Sequence, residues 1–373
     1  MLTDEQRARI VVLTHKMSAL GLSVKPMDEV TVGPVVSVYR FVPQGSTKIS
    51  NVEALAQDFA AVLAVEDVVV KRVPGDIAVS LFVPNRERKF VKWLDVCTIP
   101  PNGGRPKIPL LMGIDHLGKR VLDDLTTFPH LLVAGSTGGG KSTWLNAELA
   151  TLMLNYSPNE VRLALCDLKE GIEFQHFRGA PHLMYEIATS NEAAHQMLDD
   201  LIGLMENRLK MLASAGVRNI DDYNLKSGTP LSYICFCIDE FADLLRDKRK
   251  PFAEGPSSRS RENLGQIAQR KLCSLAAKAR ASGIHIIAAT QRPSVKLVEG
   301  DIKANFLGRL TFRLPSEADS RVILGTSGAE HLLARGDMLY QNPNRSGVQR
   351  IHAPQASIQD IQAAIDYALR RQP

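Results

Sequence analysis

The sequence predicts an α/β protein, with a parallel-rich sheet covered by helices on both faces and a small α+β module ahead of it. Three observations carry this. From about residue 110 onward, apolar strand-like runs alternate with amphipathic helical runs, the pattern of a parallel sheet with crossover helices. Residues 98–109 (TIPPNGGRPKIP) hold four prolines and two glycines, the composition of a linker between two folded parts. A glycine-rich turn at 135–140 separates an apolar strand from a helix. A length of 373 residues leaves room for two or three domains and a sizeable core.

The small module, residues 1–98, opens with a helix over 3–22. Thr3 can cap it, and Ile10, Leu13, Met17 and Leu20 recur at helical spacing before Gly21. Val30–Val42 alternates like one strand. Ser50 with Glu53 forms a capping box for a helix carrying Leu55, Phe59 and Leu63. Val68–Val73 and Ile77–Val83 read as a strand pair around Pro74-Gly75. After the 99–109 linker, residues 110–373 form the larger domain. Its expected strands are His130–Ala134, Arg162–Asp167, Tyr233–Asp239, Ile284–Ala289, 308–314, 337–341 and 347–352. Its expected helices run from the glycine turn to Asn155, over Ser190–Ala213, near Asn263–Ser282 and over 357–370. The low-complexity run 246–261 (RDKRKPFAEGPSSRSR) carries six Lys/Arg against two acids and reads as a basic loop within this domain.

Composition excludes several classes. Hydrophobic residues at 45%, charged residues at 23% and a mean hydropathy of -0.07 fit a soluble globular chain and not a disordered or membrane-embedded one. The net charge of +5 is too small for a general polyanion coat, so any nucleic-acid site must be local. Five scattered cysteines do not make a disulfide framework, and no apolar run reaches the length of a membrane span. The expectation is a cytoplasmic protein with no membrane segment of its own. The nine histidines have no ligand spacing with the cysteines, which argues against a structural metal.

The chemistry begins at GSTGGGKS, residues 135–142, which satisfies G-x-x-x-x-G-K-[ST] between a strand and a helix. Gly135, Ser136, Thr137, Gly138, Gly139 and Gly140 let backbone N–H groups converge on phosphate oxygens, and Ser142 and Thr143 open the helix whose N-terminus favours anions. Lys141 reaches the β- and γ-phosphates, and Ser142 binds Mg²⁺. These residues predict an ATP site. SYICFCIDE, residues 232–240, is a buried strand ending in two acids. Asp239 fits the magnesium partner, and Glu240 the base that activates the attacking water. A further strand ends in Thr290-Gln291-Arg292-Pro293, where Gln291 can sense the γ-phosphate. Asp167 and Lys169, at the end of another strand, are within reach of the site, but the preferred reading is a pair of solvated strand-end charges.

At these residues the sequence resembles the FtsK/SpoIIIE family of double-stranded DNA translocases. The match runs through PHLLVAGSTGGGKS (129–142), GVRNIDDYN (216–224), IDEFADLL (238–245), KARASGIHIIAATQRPS (278–294), IKANFLGRLTFRLPSEADSRVIL (302–324) and GAEHLLARGDMLY (328–340), and through GPVVSVYRF and LFVPNRER in the first module. The resemblance implies a small α domain and a RecA-like P-loop NTPase domain that assemble as a hexameric ring around duplex DNA and move along it using ATP. It further implies that Arg280 acts on a neighbouring subunit's nucleotide, with Arg309 in reserve. Two DNA loops follow from it, Arg292–Gly300 and Leu314–Arg321, with Arg292, Lys296 and Arg321 as contacts. Glu317 departs from the family, which commonly has a basic residue there.

The expected function is thus an ATP-hydrolysing DNA translocase. Room for neither a membrane domain before residue 1 nor a winged-helix domain after Pro354 suggests an accessory or mobile-element member. The rivals are a conjugation coupling ATPase that moves DNA or protein–DNA complexes, and an ATP-dependent DNA clamp that recruits partners without moving.

Overall fold

The computed structural model describes residues 2–72, 77–100, 104–250, 262–298 and 300–371. The Pro74-Gly75 turn, residues 101–103 of the linker, residues 251–261 of the basic run and Glu299 of the first DNA loop lie outside them. The chain divides into two compact units, one of residues 1–91, 113–121 and 350–352, the other of residues 92–112, 122–349 and 353–373.

In the smaller unit, α1 (Asp4–Ala19) starts at Thr3, whose side chain accepts from the Gln6 amide while Gln6 reaches back to the Thr3 amide. It precedes β1 (Val24–Val32), β2 (Val36–Pro43), α2 (Ile49–Glu53), α3 (Ala56–Leu63), β3 (Val69–Arg72), β4 (Val79–Pro84) and the short β5 (Val91–Lys92). The first four strands form an antiparallel sheet in the order β1-β2-β4-β3. Leu13 and Met17 of α1 and Phe59 of α3 pack with Tyr39, Phe41 and Leu81 of the sheet to make the core. Two local expectations are corrected. Val30–Val42 is not one strand but parts of two. Gly33-Pro34 interrupts the ladder and the Gly33 N–H closes the turn on Val36 O at 2.9 Å, yet the apolar alternation runs on across it. Nor does Ser50 cap a helix. The helix begins at Ile49 with Lys48 at its cap, which places Ser50 inside the first turn, and the run then splits into α2 and α3 at Ala54-Leu55.

The larger unit holds β6 (Pro109–Asp115) and β7 (Arg120–Asp124) in part, then β8 (His130–Ala134), α4 (Lys141–Asn155), β9 (Val161–Cys166), α5 (Asn191–Ser214), α6 (Ile220–Lys226) and β10 (Tyr233–Ile238). There follow α7 (Phe241–Leu245), α8 (Leu264–Lys278), β11 (Ile284–Thr290), α9 (Asp301–Asn305), β12 (Gly308–Phe312) and α10 (Glu317–Leu324). The chain closes with β13 (Asp337–Gln341), β14 (Gln349–His352), whose residues 350–352 belong to the smaller unit, β15 (Pro354–Gln355) and α11 (Ile358–Arg370). A nine-stranded sheet runs β7-β6-β14-β13-β12-β8-β11-β10-β9. From β12 to β9 every neighbour is parallel, whereas β13 turns back antiparallel on β12. β8 through β11 are buried except for the half-buried Arg162 and Tyr233, as strands covered on both faces must be. α5 and α8 pack on one face through Leu198, Leu201, Leu272 and Leu275, and α11 lies against α4.

Residues 92–112 group with this unit. The Trp93 indole N–H donates to Thr151 Oγ1 of α4 at 2.8 Å, and the Ile99 amide donates to Asn155 Oδ1 at 2.9 Å. The parallel pairing sets β8, β9, β10 and β11 in register, with Ala134 opposite Thr290 and Ile238 opposite both Ala288 and Cys166. Their carboxyl ends therefore come together along one sheet edge, where ligands of parallel sheets bind.

Candidate nucleotide site

That edge gathers the residues the sequence singled out. The chain leaves β8 and turns through Gly138 (φ 77°) and Gly140 (φ 116°), left-handed conformations that glycine alone adopts without strain. At Gly140 space is also closed, because a Cβ there would sit 2.7 Å from the Gly336 amide nitrogen. Lys141 then starts α4. Around the turn lies a cavity of about 210 Å³ whose lining includes Ser136, Thr137, Gly138, Gly140, Lys141, Ser142, Thr143 and Gln291.

Lys141 is buried. Its ammonium donates to Asp239 O at 2.8 Å and forms an ion pair with Asp239 Oδ1. Asp239 is fully buried, and its other oxygen, Oδ2, has no hydrogen-bond partner. Glu240 is buried beside it and held from the next strand. Its Oε1 accepts from Thr290 Oγ1 at 2.5 Å and its Oε2 from the Gln291 amide at 2.8 Å. Gln291 Oε1 accepts in turn from Thr137 Oγ1 at 3.1 Å. Phosphate loop, acidic pair and Gln291 are thus one bonded cluster.

Asp167 and Lys169 are corrected here. Asp167 is fully buried, not solvated. Its carboxylate accepts the amides of Lys169, Glu173 and Phe174 and so fixes the turn after β9. That turn sets the Lys169 ammonium 3.6 Å from Asp239 Oδ2 and 3.9 Å from Glu240 Oε2. Thr290 and Arg335 are members of this site that the sequence reasoning did not assign, and Lys169 is one that it set aside as a solvated charge. Thr290 lay one residue before the chosen Gln291, and the other two reach the site only through strand adjacency and a loop return.

The neighbouring strand residues are chemically quiet. Burial pushes the thiols of Cys166, Cys235 and Cys237 upward, and all five cysteines are free. Burial holds His130 down at about 3 and His285 at about 4, so both are neutral. No His/Cys/Asp/Glu cluster among the described residues could hold a metal by itself, nor is any helix among them long and apolar enough to cross a membrane.

Comparison with known proteins agrees with this geometry. Residues 101–230 match the family model described as FtsK/SpoIIIE family, and residues 2–85 match that of the FtsK alpha domain, together more than half of the chain. A DNA translocase FtsK of Pseudomonas syringae pv. tomato is 34% identical over 97% of this chain and 46% of its own length. One of Rickettsia bellii is 36% identical over 90% of this chain and 47% of its own. The chain belongs to the FtsK/SpoIIIE family. It spans a little under half the length of these relatives. Among solved structures, the pCW3 conjugation coupling protein TcpA, in a monomer form with ATPγS, superposes with a TM-score of 0.68 over 98% of this chain and 100% of its own at 21% identity, a likeness of fold. The fold is that of the P-loop ATPases.

The remaining residues implied by the FtsK/SpoIIIE resemblance fall outside the cluster. Arg280 is exposed and donates to Thr127 O at 3.4 Å. It precedes β11 while Gln291 follows it, so seven strand residues at about 3.3 Å each separate it from its own phosphate loop. Arg309 is withdrawn as the reserve. It is buried in β12 and its guanidinium donates to Ile323 O at 2.6 Å and Lys303 O at 2.8 Å. Arg292 and Lys296 are exposed on the loop after β11. The segment 314–321 is not a loop throughout: Ser316 caps α10, which contains Glu317 and Arg321, and these two form an i,i+4 ion pair at 2.6 Å.

Proposed function

We propose that this chain is an ATP-driven motor that moves along double-stranded DNA, acts in the cytoplasm and works as a ring of identical subunits, most simply a hexamer. The supporting observation is the bonded path from phosphate loop to candidate DNA loop. Thr137 holds Gln291, the Gln291 amide and Thr290 hydroxyl hold Glu240, and the Arg292 amide donates to the same Thr290 hydroxyl at 3.1 Å. A change in the phosphates bound at Thr137 or in the charge at Glu240 is therefore transmitted to the backbone of Arg292 within three residues.

In this reading the loop amides and Lys141 bind the triphosphate. Lys141 must leave Asp239 to do so. Glu240, fixed by two hydrogen bonds, orients the attacking water and takes its proton. Ser142 and Asp239 suit Mg²⁺, because Asp239 Oδ2 is buried and lacks a hydrogen-bond partner; a bound magnesium would neutralise charge on the phosphates. DNA is gripped through its phosphates by Arg292, Lys296 and Arg321, a contact indifferent to sequence. The accessory or mobile-element role is not carried into this proposal, since it rests only on where the chain starts and stops.

The test is displacement of a third strand from linear duplex DNA in the presence of ATP. A translocase strips it; a clamp leaves it in place. Glu240→Gln should bind ATP, stop hydrolysing it by at least about 10²-fold and strip nothing, whereas Lys141→Ala should lose nucleotide binding as well. Full hydrolysis by Glu240→Gln would remove Glu240 from the role of base. The likeness to a conjugation coupling protein favours a second reading, transfer of DNA through a secretion channel. ATP turnover stimulated by single-stranded DNA and not by duplex would select it.

A further inference from the structure

One cation of the nucleotide cavity has no task in the proposed cycle. Arg335 lines the cavity and is exposed, and among the described residues it makes no ion pair, Glu173 of the same cavity included. Its backbone is in the left-handed region, φ 64°, where a side chain is strained and a glycine is not. Three hydrogen bonds hold it there. The Arg335 amide donates to Gly138 O at 3.4 Å, the Gly336 amide to Gly139 O at 2.9 Å, and the Ala353 amide to Gly336 O at 2.8 Å. Arg335-Gly336 is thus laced to the outer, carbonyl side of the phosphate loop and lies against Gly140, where a Cβ would sit 2.7 Å from the Gly336 amide nitrogen.

The place within the cavity decides what it touches. Gln291, bonded to Thr137 and Glu240, marks the end where the γ-phosphate reacts. Arg335 follows the loop at Gly138 and Gly139, and Pro354 and Gln355, which also line the cavity, come next to Gly336 through Ala353. That is the end left for the nucleoside. We propose that Arg335 is a nucleotide-binding residue that holds the α-phosphate and base end of the bound nucleotide, its planar guanidinium bonding the phosphate and covering the ring. It acts on the part common to ATP and ADP and takes no part in breaking the γ-phosphate bond. This rests on the ATP-site reading above.

The test compares full-length wild type with Arg335→Ala, Arg335→Lys and Arg335→Gly by titration with ATPγS and ADP and by steady-state ATP hydrolysis. The expected result is affinity about tenfold weaker for both nucleotides in the Ala and Gly variants, KM raised in proportion, kcat at saturating ATP within about twofold of wild type, and partial recovery in Lys. Arg335→Gly relieves the backbone strain, so its Tm should equal or exceed that of wild type; lost affinity with a kept Tm excludes a merely structural role. Unchanged affinity in the Ala and Gly variants overturns the proposal. So does weaker binding of ATPγS alone, or a fall in kcat with affinity intact, which would put Arg335 at the γ-phosphate. Failure of wild type to bind ATPγS would instead overturn the ATP-site reading itself.

Discussion

Glu148 is a fully buried acid on the helix that follows the phosphate loop, and its environment makes stability depend on pH. The Leu111 amide donates to its Oε2 at 2.8 Å, Oε1 has no partner, and burial pushes the carboxyl up to about 8 despite that hydrogen bond. The folded chain keeps this proton up to about pH 8, whereas an unfolded carboxyl gives it up near 4.5. The folded state binds more protons across that window, so its stability is complete below the lower value and declines as pH climbs through the upper one. Glu148→Gln retains the acceptor for Leu111 and removes the titration. Its Tm should gain on wild type by roughly 5 °C between about pH 6 and about pH 9; parallel Tm profiles would show the proton to be lost elsewhere. At this scale the sequence was a partial guide. Lys141, Asp239, Glu240 and Gln291 were legible because a glycine turn and three strand ends announce them locally. Lys169 was weighed and set aside and Arg335 was not read at all, since one depends on which strand neighbours which and the other on a return of the chain more than 190 residues past the loop.

Among the elements, α10 changes the meaning of a DNA contact. Arg321 was expected on a pore loop, but in α10 its guanidinium lies on Glu317, with both side chains more than half exposed. Such a pair is worth about 0–1 kcal/mol, little beside the release of counterions from DNA. Glu317→Ala should therefore free Arg321, tighten binding to any duplex and steepen the slope of log K against log salt by up to about one unit, while Arg321→Ala should flatten it by a similar amount. Equal slopes for wild type and both variants would place the contact elsewhere. The elements that were read correctly are the ones whose signal is long or dense: β8, β9, β10 and β11 are mainly apolar runs, interrupted by His130, Arg162 and His285, α4 is a long and mostly buried helix, and α5, α8 and α11 are long amphipathic ones. Short elements were missed. α6, α7, α9 and α10 have five to eight residues each, too few turns for a period to stand out, and β6 opens on Pro109, which composition assigns to the linker.

At the scale of the whole molecule, the position of Arg280 at the far end of β11 bars it from its own phosphate loop and leaves it exposed. In the proposed ring, Lys141→Ala subunits lack nucleotide but keep Arg280, and Arg280→Ala subunits do the reverse. Each is expected to be inactive by about 10³-fold, and mixing them should restore part of the ATPase rate; no recovery at any ratio would exclude Arg280 as the donor. The pairing of Lys141 with Asp239 bears on how such a ring would reset. Lys141 already has its counter-ion in Asp239, so in the proposed cycle an anion at the loop would have to win an exchange of partners. A phosphate ion would bring Asp239 no cation in place of Lys141 and leave it only Lys169 at 3.6 Å, whereas a nucleotide carrying Mg²⁺ would bring a partner for each. On product release Lys141 would regain Asp239, so that neither buried charge is left bare between turnovers of the proposed cycle.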